Sequence, residues 1–539
     1  MEVSQGINGP GAAAEAEEMP ATGPAPADPA RERREALTLL ASVVAVAACG
    51  LVYELLIATV ATYLLGSSVT QFSVAIGVFL GGMGLGSYLS QRVRQGLLDT
   101  FLITELALAA LGGGSVALLF ATYRAGFLYW LALYGSLIGV GALTGLELPL
   151  LTRLLKRYGT LRAVIAQALS FDYVGALAGS LLFPLVLLPT LGMMRTALLV
   201  GLVNLAVAGW NVQVFGTQLR HPRKLLTACA GIAAVLAGGF VFSLQVVSLL
   251  EGRLYEDEII HAEQTPHQRI VITRWHDDIR LYLNGHLQFC ALDEYRYHEA
   301  LVHPALALAP AAERVLVLGG GDGLAVREVL KHEGIRQVIL VDLDPRMTEL
   351  GRTFPALADL NQQALHHPRV QIVNADAFRF LQEGAELYDV ILADLPDPSA
   401  DVLAKLYSRE FYRLVQRRLA EAGIFATQAT SPYFARDAFW CIQATIEAAD
   451  LKPVPYHVYV PSFGEWGFVL AARHALAPEA AQLRVPTRYL TPEALRGMFA
   501  LGKDVSRVPV EVSTLDRPVV LTYYLNNSRQ LARMEAGGR

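Results

Sequence analysis

From about Ala36 to Leu250 the chain alternates long apolar runs with short basic loops. The runs fall near 37–62, 68–90, 101–122, 126–151, 163–190, 194–216 and 225–249, each at least about twenty residues, the length an α-helix needs to cross a bilayer. Over 36–250 they predict a multi-pass α-helical membrane domain of about seven helices. Glycine-rich steps in GVFLGGMGLGSYLS (Gly77 to Ser90) and GALAGSLL (Gly175 to Leu182) supply small-residue faces on which such helices approach closely. After the last run the period shortens. Tyr255–His261, Arg269–Thr273, Arg280–Leu283 and Leu287–Cys290 read as strands, with Asn284-Gly285 as a hairpin turn, and predict a small antiparallel β-domain over 251–300. From 301 to 480 short buried strands alternate with helical stretches, the order of an α/β doubly wound domain. Its strands are Val315–Leu318, Val338–Val341, Val370–Val373, Tyr388–Ala393 and Gly423–Thr427, with Gly467–Ala472 as a late antiparallel one. Residues 481–539 form a mixed extension with no evident chemistry. Residues 1–35 open with a stretch rich in Ala, Pro, Gly and Glu and read as a disordered tail without a signal-peptide pattern.

A hydrophobic share of 53% and a mean hydropathy of +0.38 over 539 residues are too apolar for an ordinary soluble chain, which supports a cell-membrane location. The net charge of −5 gives no reason to invoke nucleic acid. Four scattered cysteines without a CxxC spacing support neither a disulfide framework nor a metal site. Basic residues gather before the first run and after the second, fourth and sixth, so the positive-inside rule puts the N-terminus in the cytoplasm. An odd number of crossings then puts residues 251–539 outside, although nucleotide-derived cosubstrates are made inside. Either one run fails to cross or the soluble part is extracytoplasmic. Glu54, Glu105, Glu147 and Asp172 lie in or at the ends of apolar runs, where an ionisable group is costly. They read either as an acid-lined polyamine path or as partners of loop arginines such as Arg153.

The chemistry concentrates after Val315–Leu318, where the strand runs into Gly319, Gly320, Gly321, Asp322 and Gly323. The second strand ends at Asp342, about twenty residues beyond, where a ribose-binding acid is expected. A loop for pyrophosphate offers bare N–H groups to an anion; Asp322 puts a carboxylate there, which suits a cationic donor such as S-adenosylmethionine or its decarboxylated form. The plainer alternative is that Asp322 only caps the next helix. Asp376, Asp394 and Asp397 stand at or just beyond strand ends, the edge at which open α/β sheets bind ligands.

Together GGGDG (Gly319–Gly323), VDLD (Val341–Asp344), NADAFRFL (Asn374–Leu381), YDVILADLPDP (Tyr388–Pro398) and YHE (Tyr297–Glu299) resemble the spermidine synthase family of polyamine aminopropyltransferases over about residues 254–475. The apolar half resembles that family's membrane-embedded bacterial branch. The resemblance implies a Rossmann-like fold of the S-adenosylmethionine-methyltransferase type and transfer of the aminopropyl group of decarboxylated S-adenosylmethionine to putrescine. That donor is a cosubstrate; no permanently bound cofactor and no metal are implied. Gln268, Gly319, Gly321, Asp322, Gly323, Asp342, Asp376 and Ala377 would hold the cosubstrate, Asp394 would act as catalytic acid/base, and Tyr297, His298, Asp397 and Gln428 would line the acceptor site. Soluble members are commonly dimers or tetramers, which implies a homo-oligomer. Two departures stand out: the stretch Val458 to Ala471 places Tyr459 off the family's acceptor-site tyrosine and adds Trp466, and 400–406 lacks the family's glycine-proline pair. Alternatives are an S-adenosylmethionine-dependent methyltransferase, and a polyamine transporter or sensor, which a cavity lined by Glu54, Glu147 and Asp172 would favour.

Overall fold

The computed structural model describes residues 29–65, 68–243, 257–309 and 311–527. Among the described residues seven α-helices make the first part: α1 Pro29–Leu65, α2 Ser68–Ser90, α3 Leu97–Thr122, α4 Phe127–Leu155, α5 Leu161–Leu182, α6 Leu188–Phe215 and α7 Pro222–Val241. The chain is thus helical from Pro29, inside the stretch expected as a tail, while 1–28 and the end of the 225–249 run lie outside the described residues. From Leu161 to Gln218 the backbone is one 58-residue helical stretch, broken at Gly192 (φ 72°, ψ 178°). The break lies near the start of α6. Gly175 and Gly179 of α5 press on Val44 and Ala48 of α1, whereas Val200 and Asn211 of α6 meet Cys49 and Ser42, so the two helices run in opposite directions beside α1.

The glycine steps do what their spacing predicts. A Cβ on Gly86 would sit 1.9 Å from the carbonyl oxygen of Ala142, and one on Gly175 2.2 Å from that of Val44. Only glycine permits that contact. The outside of the helices shows the reverse of a water-soluble pattern: α5 buries Ala168, Gly175 and Gly179 and exposes Phe171, Val174, Leu177 and Leu181. The basic loops meet at one end of the bundle. There Arg31 donates to Thr217 Oγ1, Tyr158 and Gln218 both donate to Glu35, and the Arg220 N–H donates to Asp99.

The second part holds two sheets. β1 Glu258–Gln264, β2 Arg269–Trp275, β3 Asp278–Leu283 and β4 His286–Cys290 form an antiparallel meander. Asn284 and Gly285 both take positive φ, 50° and 82°, as a two-residue hairpin of matching twist requires. The larger sheet contains β5 Arg314–Gly319, β6 Gln337–Asp342, β7 Val370–Asn374, β8 Tyr388–Asp394, β9 Leu419–Gln428, β10 Lys452–Val460 and β11 Gly464–Ala472. Its order is β10-β11-β9-β8-β5-β6-β7. β5 to β9 are parallel, and β11 and β10 close one side antiparallel. β10 carries Pro453 and Pro455 and is absent from the sequence reading; an edge strand tolerates prolines that a central one does not. After β5 the chain builds outward through β6 and β7, then returns to place β8 on the other side of β5. The strand order therefore reverses between β5 and β8, and a crevice at their carboxyl ends follows.

The extension is part of this domain. Glu299, wholly buried, accepts the backbone N–H groups of Arg488, Tyr489 and Leu490 at 2.5, 2.9 and 2.9 Å. A helical stretch reaching 519–527 packs Val520 and Leu521 into the main core.

Candidate active site

The glycine loop leaves β5 at the switch point and is pressed against two carboxylates. Gly319 and Gly320 have φ of 78° and 68°, and a Cβ on them would meet the Asp394 carbonyl at 2.0 Å and its Oδ2 at 2.9 Å. On the other side the Gly321 N–H donates to Asp342 Oδ2 at 3.0 Å, and a Cβ there would strike the same oxygen at 2.7 Å. Gly323, at φ 85°, ends the loop as the left-handed cap of the helix Leu324–Leu330 (α9). Asn361 clamps the turn from below, donating to the carbonyls of Asp322 and Gly351 at 2.7 Å each. Glycine here is a matter of space as much as of φ: it lets backbone lie on the site's acids.

Asp322 accepts the Leu324 N–H at 2.8 Å through Oδ1, so the capping alternative describes one of its two oxygens. Burial pushes its carboxyl up to about 6; the His298 charge pulls it down and the Asp394 charge pushes it further up. Asp342 is pushed to about 6 by burial, against the N–H groups of Asp344 and Gly321 and with the Asp322 charge adding to the rise. Several acids in one dry crevice repel one another, and an incoming cation relieves all of them at once.

Asp394 ends β8, in register with Gly319. Tyr297 donates its O–H to Asp394 Oδ1 at 2.8 Å, and His298 Nε2 stands 3.8 Å from Oδ2. Both come from the helix Glu294–Leu308 (α8). Glu294 bonds His298 Nδ1 at 2.8 Å and is gripped by both terminal nitrogens of Arg327 at 2.9 and 3.0 Å. Burial works against a charged imidazole, yet the hydrogen bond and charge of Glu294, with Asp394 adding to them, lift His298 to about 9. The ring is cationic at neutral pH. With 3% of it exposed, His298 has one ring nitrogen on Glu294 and the other towards Asp394, beside Tyr297 with which it is expected to line the acceptor site.

Asp397 lies three residues on. Gln428 donates to its Oδ1 at 3.3 Å and Thr430 Oγ1 to its Oδ2 at 3.5 Å, and Tyr524 supplies a further side-chain hydrogen bond. Burial raises Asp397 to about 6 in spite of these donors. Gln428 also donates to Tyr407 Oη at 2.5 Å and to the Leu395 carbonyl. Tyr297 is flanked by Phe468, Phe463 and Trp466 at ring distances of 5.2, 6.4 and 6.5 Å. Tyr459, by contrast, is 54% exposed on β10 and belongs to no part of the site.

Two expected cosubstrate ligands are already engaged. Gln268 donates to Asp344 Oδ2 at 3.0 Å, beside the 2.7 Å bond from Thr265, and so links the small sheet to the end of β6. Asp376 caps the helix Ala377–Glu383 through the Arg379 N–H, and its other oxygen takes Lys405 Nζ at 2.5 Å. Against the effect of burial, Lys405 holds Asp376 below the ordinary carboxylate range. Ala377 follows as the first residue of that helix. The structure therefore gathers Gly319, Gly321, Asp322, Gly323, Asp342, Asp394, Asp397, Tyr297 and Gln428 around one crevice. Sequence reading missed Glu294 and Arg327, Asn361, Lys405, Tyr407 and Thr430, none of which stands in a recognisable spacing. It also took the extension to lack chemistry; Tyr524 overturns that, its hydroxyl reaching Asp397 from 127 positions further along the chain.

A Rossmann-like sheet with a small antiparallel sheet beside it, and carboxylates in place of phosphate-binding groups, defines a transferase for cationic nucleoside-type donors. The sequence profile of the spermine/spermidine synthase domain matches residues 294–480. Polyamine aminopropyltransferase 2 of Ralstonia nicotianae is 48% identical over 91% of this chain and 98% of its own. Polyamine aminopropyltransferases of Leptospira interrogans, 44% identical over 90% of this chain and 97% of its own, and of Streptomyces coelicolor, 46% identical over 90% and 93%, align in the same way. The chain belongs to the spermidine synthase family of polyamine aminopropyltransferases.

Proposed function

We propose that the chain is a membrane-embedded aminopropyltransferase that moves the aminopropyl group of decarboxylated S-adenosylmethionine to putrescine. The observation that carries the reading is the buried acid at Asp322 inside the glycine loop, near enough to Asp394 at the end of β8 for the two charges to act on each other. Asp322 binds the donor's amine, Asp342 its ribose hydroxyls and Asp376 its adenine, the last after Lys405 lets go. The acceptor's distal ammonium rests on Asp397, and its reacting nitrogen approaches Asp394 along the aromatic wall of Tyr297, Phe463 and Trp466.

The reaction is an in-line displacement. The neutral amine's lone pair forms the new C–N bond to the methylene beside the sulfonium, the C–S bond breaks, and its electron pair leaves with sulfur as methylthioadenosine. The product nitrogen then carries one proton too many. Asp394, held by Tyr297 and His298 with one face open, orients the amine and takes that proton, a role commonly worth about 10²–10⁴-fold in rate. Methyl transfer is disfavoured by the same geometry: ordinary S-adenosylmethionine would bring its own carboxylate to a buried acid, and like charges at a few ångströms in a partly dry site are costly. Asp322→Asn tests this directly. It should narrow the enzyme's preference for the decarboxylated over the carboxylated donor in competitive binding; unchanged discrimination counts against the role.

The helical half lies in the bilayer on this reading. Many large apolar residues remain exposed on its outside, among them Leu131, Tyr173, Leu177, Leu185 and Val235, glycines let its helices touch closely, and its basic loops share one end, which the positive-inside rule puts in the cytoplasm. The relatives align over about nine-tenths of the chain, so this half belongs to their common architecture too. Extraction tests it: the protein should stay with membranes in alkaline carbonate and be released by detergent, and release by carbonate alone contradicts it.

A further inference from the structure

Between α1, α2, α4 and α5 lies a cavity of about 280 Å³ in the helical half. At about 30 Å³ per water it has room for roughly nine, and it falls below the range of about 300–1,000 Å³ usual for drug-sized ligands. A nucleoside donor is too large for it. Part of its wall is apolar, with Val43, Val46, Met83 and Leu148 among the lining residues. Its polar groups are nearly all acceptors in search of a donor. Glu147 is 1% exposed and, apart from the neighbouring carboxyl of Glu105, no group reaches its carboxylate oxygens; Thr144 Oγ1 has no hydrogen-bond partner. Asp172 also lines the space and has no ion pair among the described residues. Pro149, also on the wall, has no N–H to give to the carbonyl of Gly145 four residues back.

No Lys, Arg or His lines this space. Behind it Glu105, fully buried, adjoins Glu147 and has no donor from a third residue. The arginine expected to neutralise these acids does something else: Arg153 gives its two terminal nitrogens to the carbonyls of Ser90 and Val93 at 3.1 and 2.6 Å. A buried carboxylate without a partner is strongly unfavourable, so the cavity is built for a positive guest that brings its own N–H groups. Hard metal ions take about 6–8 oxygens around the whole ion; Ser87, Thr144, Glu147 and Asp172 supply the side-chain oxygens here, and apolar side chains form much of the remaining wall. An alkylammonium suits both the acceptors, with three donors on each head, and the apolar walls, with its methylenes.

We propose that this cavity is a second amine site, binding an alkylammonium of the diamine or triamine class with Glu147 and Asp172 as its ammonium-binding carboxylates. It rests on the aminopropyl-transfer reading only in the choice of probe. The test uses the full chain in lipid nanodiscs, with radiolabelled putrescine and spermidine in equilibrium dialysis and methylthioadenosine release measured on the same samples. Wild type should bind label at two sites per chain. Glu147→Gln and Asp172→Asn should each weaken one of them about tenfold or more at an unchanged rate of transfer, and that rate, with an unaltered size-exclusion profile, reports an intact fold. Asp397→Asn should spare the site that Glu147→Gln removes. A single site in wild type, two unaltered sites in both helical variants, or displacement of the Glu147-dependent label by sodium ions at ordinary salt would overturn the proposal. Binding that depends on Glu147 in a protein that releases no methylthioadenosine would uphold it and sink the catalytic reading instead.

Discussion

In the proposed mechanism Asp394 is the residue on which the chemistry turns, and its surroundings explain why an ordinary aspartate could serve. Tyr297 and His298 fix its carboxylate from the helix side, Glu294 and Arg327 fix His298, and the glycine loop leaves the opposite side free of side chains. Asp394→Asn keeps the shape and loses the charge. It should lower turnover by about 10²–10⁴-fold with donor affinity retained, measured by single-turnover release of methylthioadenosine; near-normal turnover would remove Asp394 from its role. A pH dependence follows from Asp322, Asp342 and Asp397, each lifted from an ordinary 3.8 to about 6. Because the folded carboxyls hold protons that the unfolded chain has released, their contribution to stability is present at low pH and is lost as pH rises from about 4 to 6. A bound cation reverses that loss, since it favours the ionised acids. The donor-induced rise in Tm should therefore be larger at about pH 7 than at about pH 5, and an equal or smaller rise at the higher pH contradicts the assignment. The acids were legible because strand ends announce them. Tyr524 and Lys405 were not, since only the folded chain brings them to Asp397 and Asp376.

At the scale of elements, 400–407 is the part of the site most able to change. Lys405 holds Asp376 from this segment, and Tyr407, two residues on, ties it to the Pro396 carbonyl at 2.8 Å and to Gln428. A donor whose adenine uses Asp376 competes with the Lys405 amine. Lys405→Met should lower the KM for the donor and leave kcat little changed in steady-state assays; a raised KM would mean that Lys405 itself binds the donor. The larger sheet was readable wherever four or more β-branched and aliphatic residues ran together, as in β5, β6 and β8. β10 was hidden by Pro453 and Pro455, and it is the strand that carries Tyr459 outward and leaves Trp466 of β11 beside Tyr297.

The whole molecule joins two halves that pack in different ways. In the catalytic half apolar side chains fill the space on both faces of the large sheet; in the helical half a core of leucines, valines and aromatics is joined by close glycine contacts, and further large apolar side chains, such as Val174, Leu177 and Leu181 of α5, are exposed. Seven helices were countable in sequence because length alone sets that signal. Which acids among them lack partners was not, because pairing depends on where Arg153 turns, and it turns to backbone. The central claim is aminopropyl transfer, and one assay reaches it most directly: the full chain in detergent, given putrescine with either decarboxylated or ordinary S-adenosylmethionine, with both nucleoside products quantified. The account predicts methylthioadenosine from the decarboxylated donor and nothing from the other; S-adenosylhomocysteine from the ordinary donor would contradict it and make the same fold a methyltransferase.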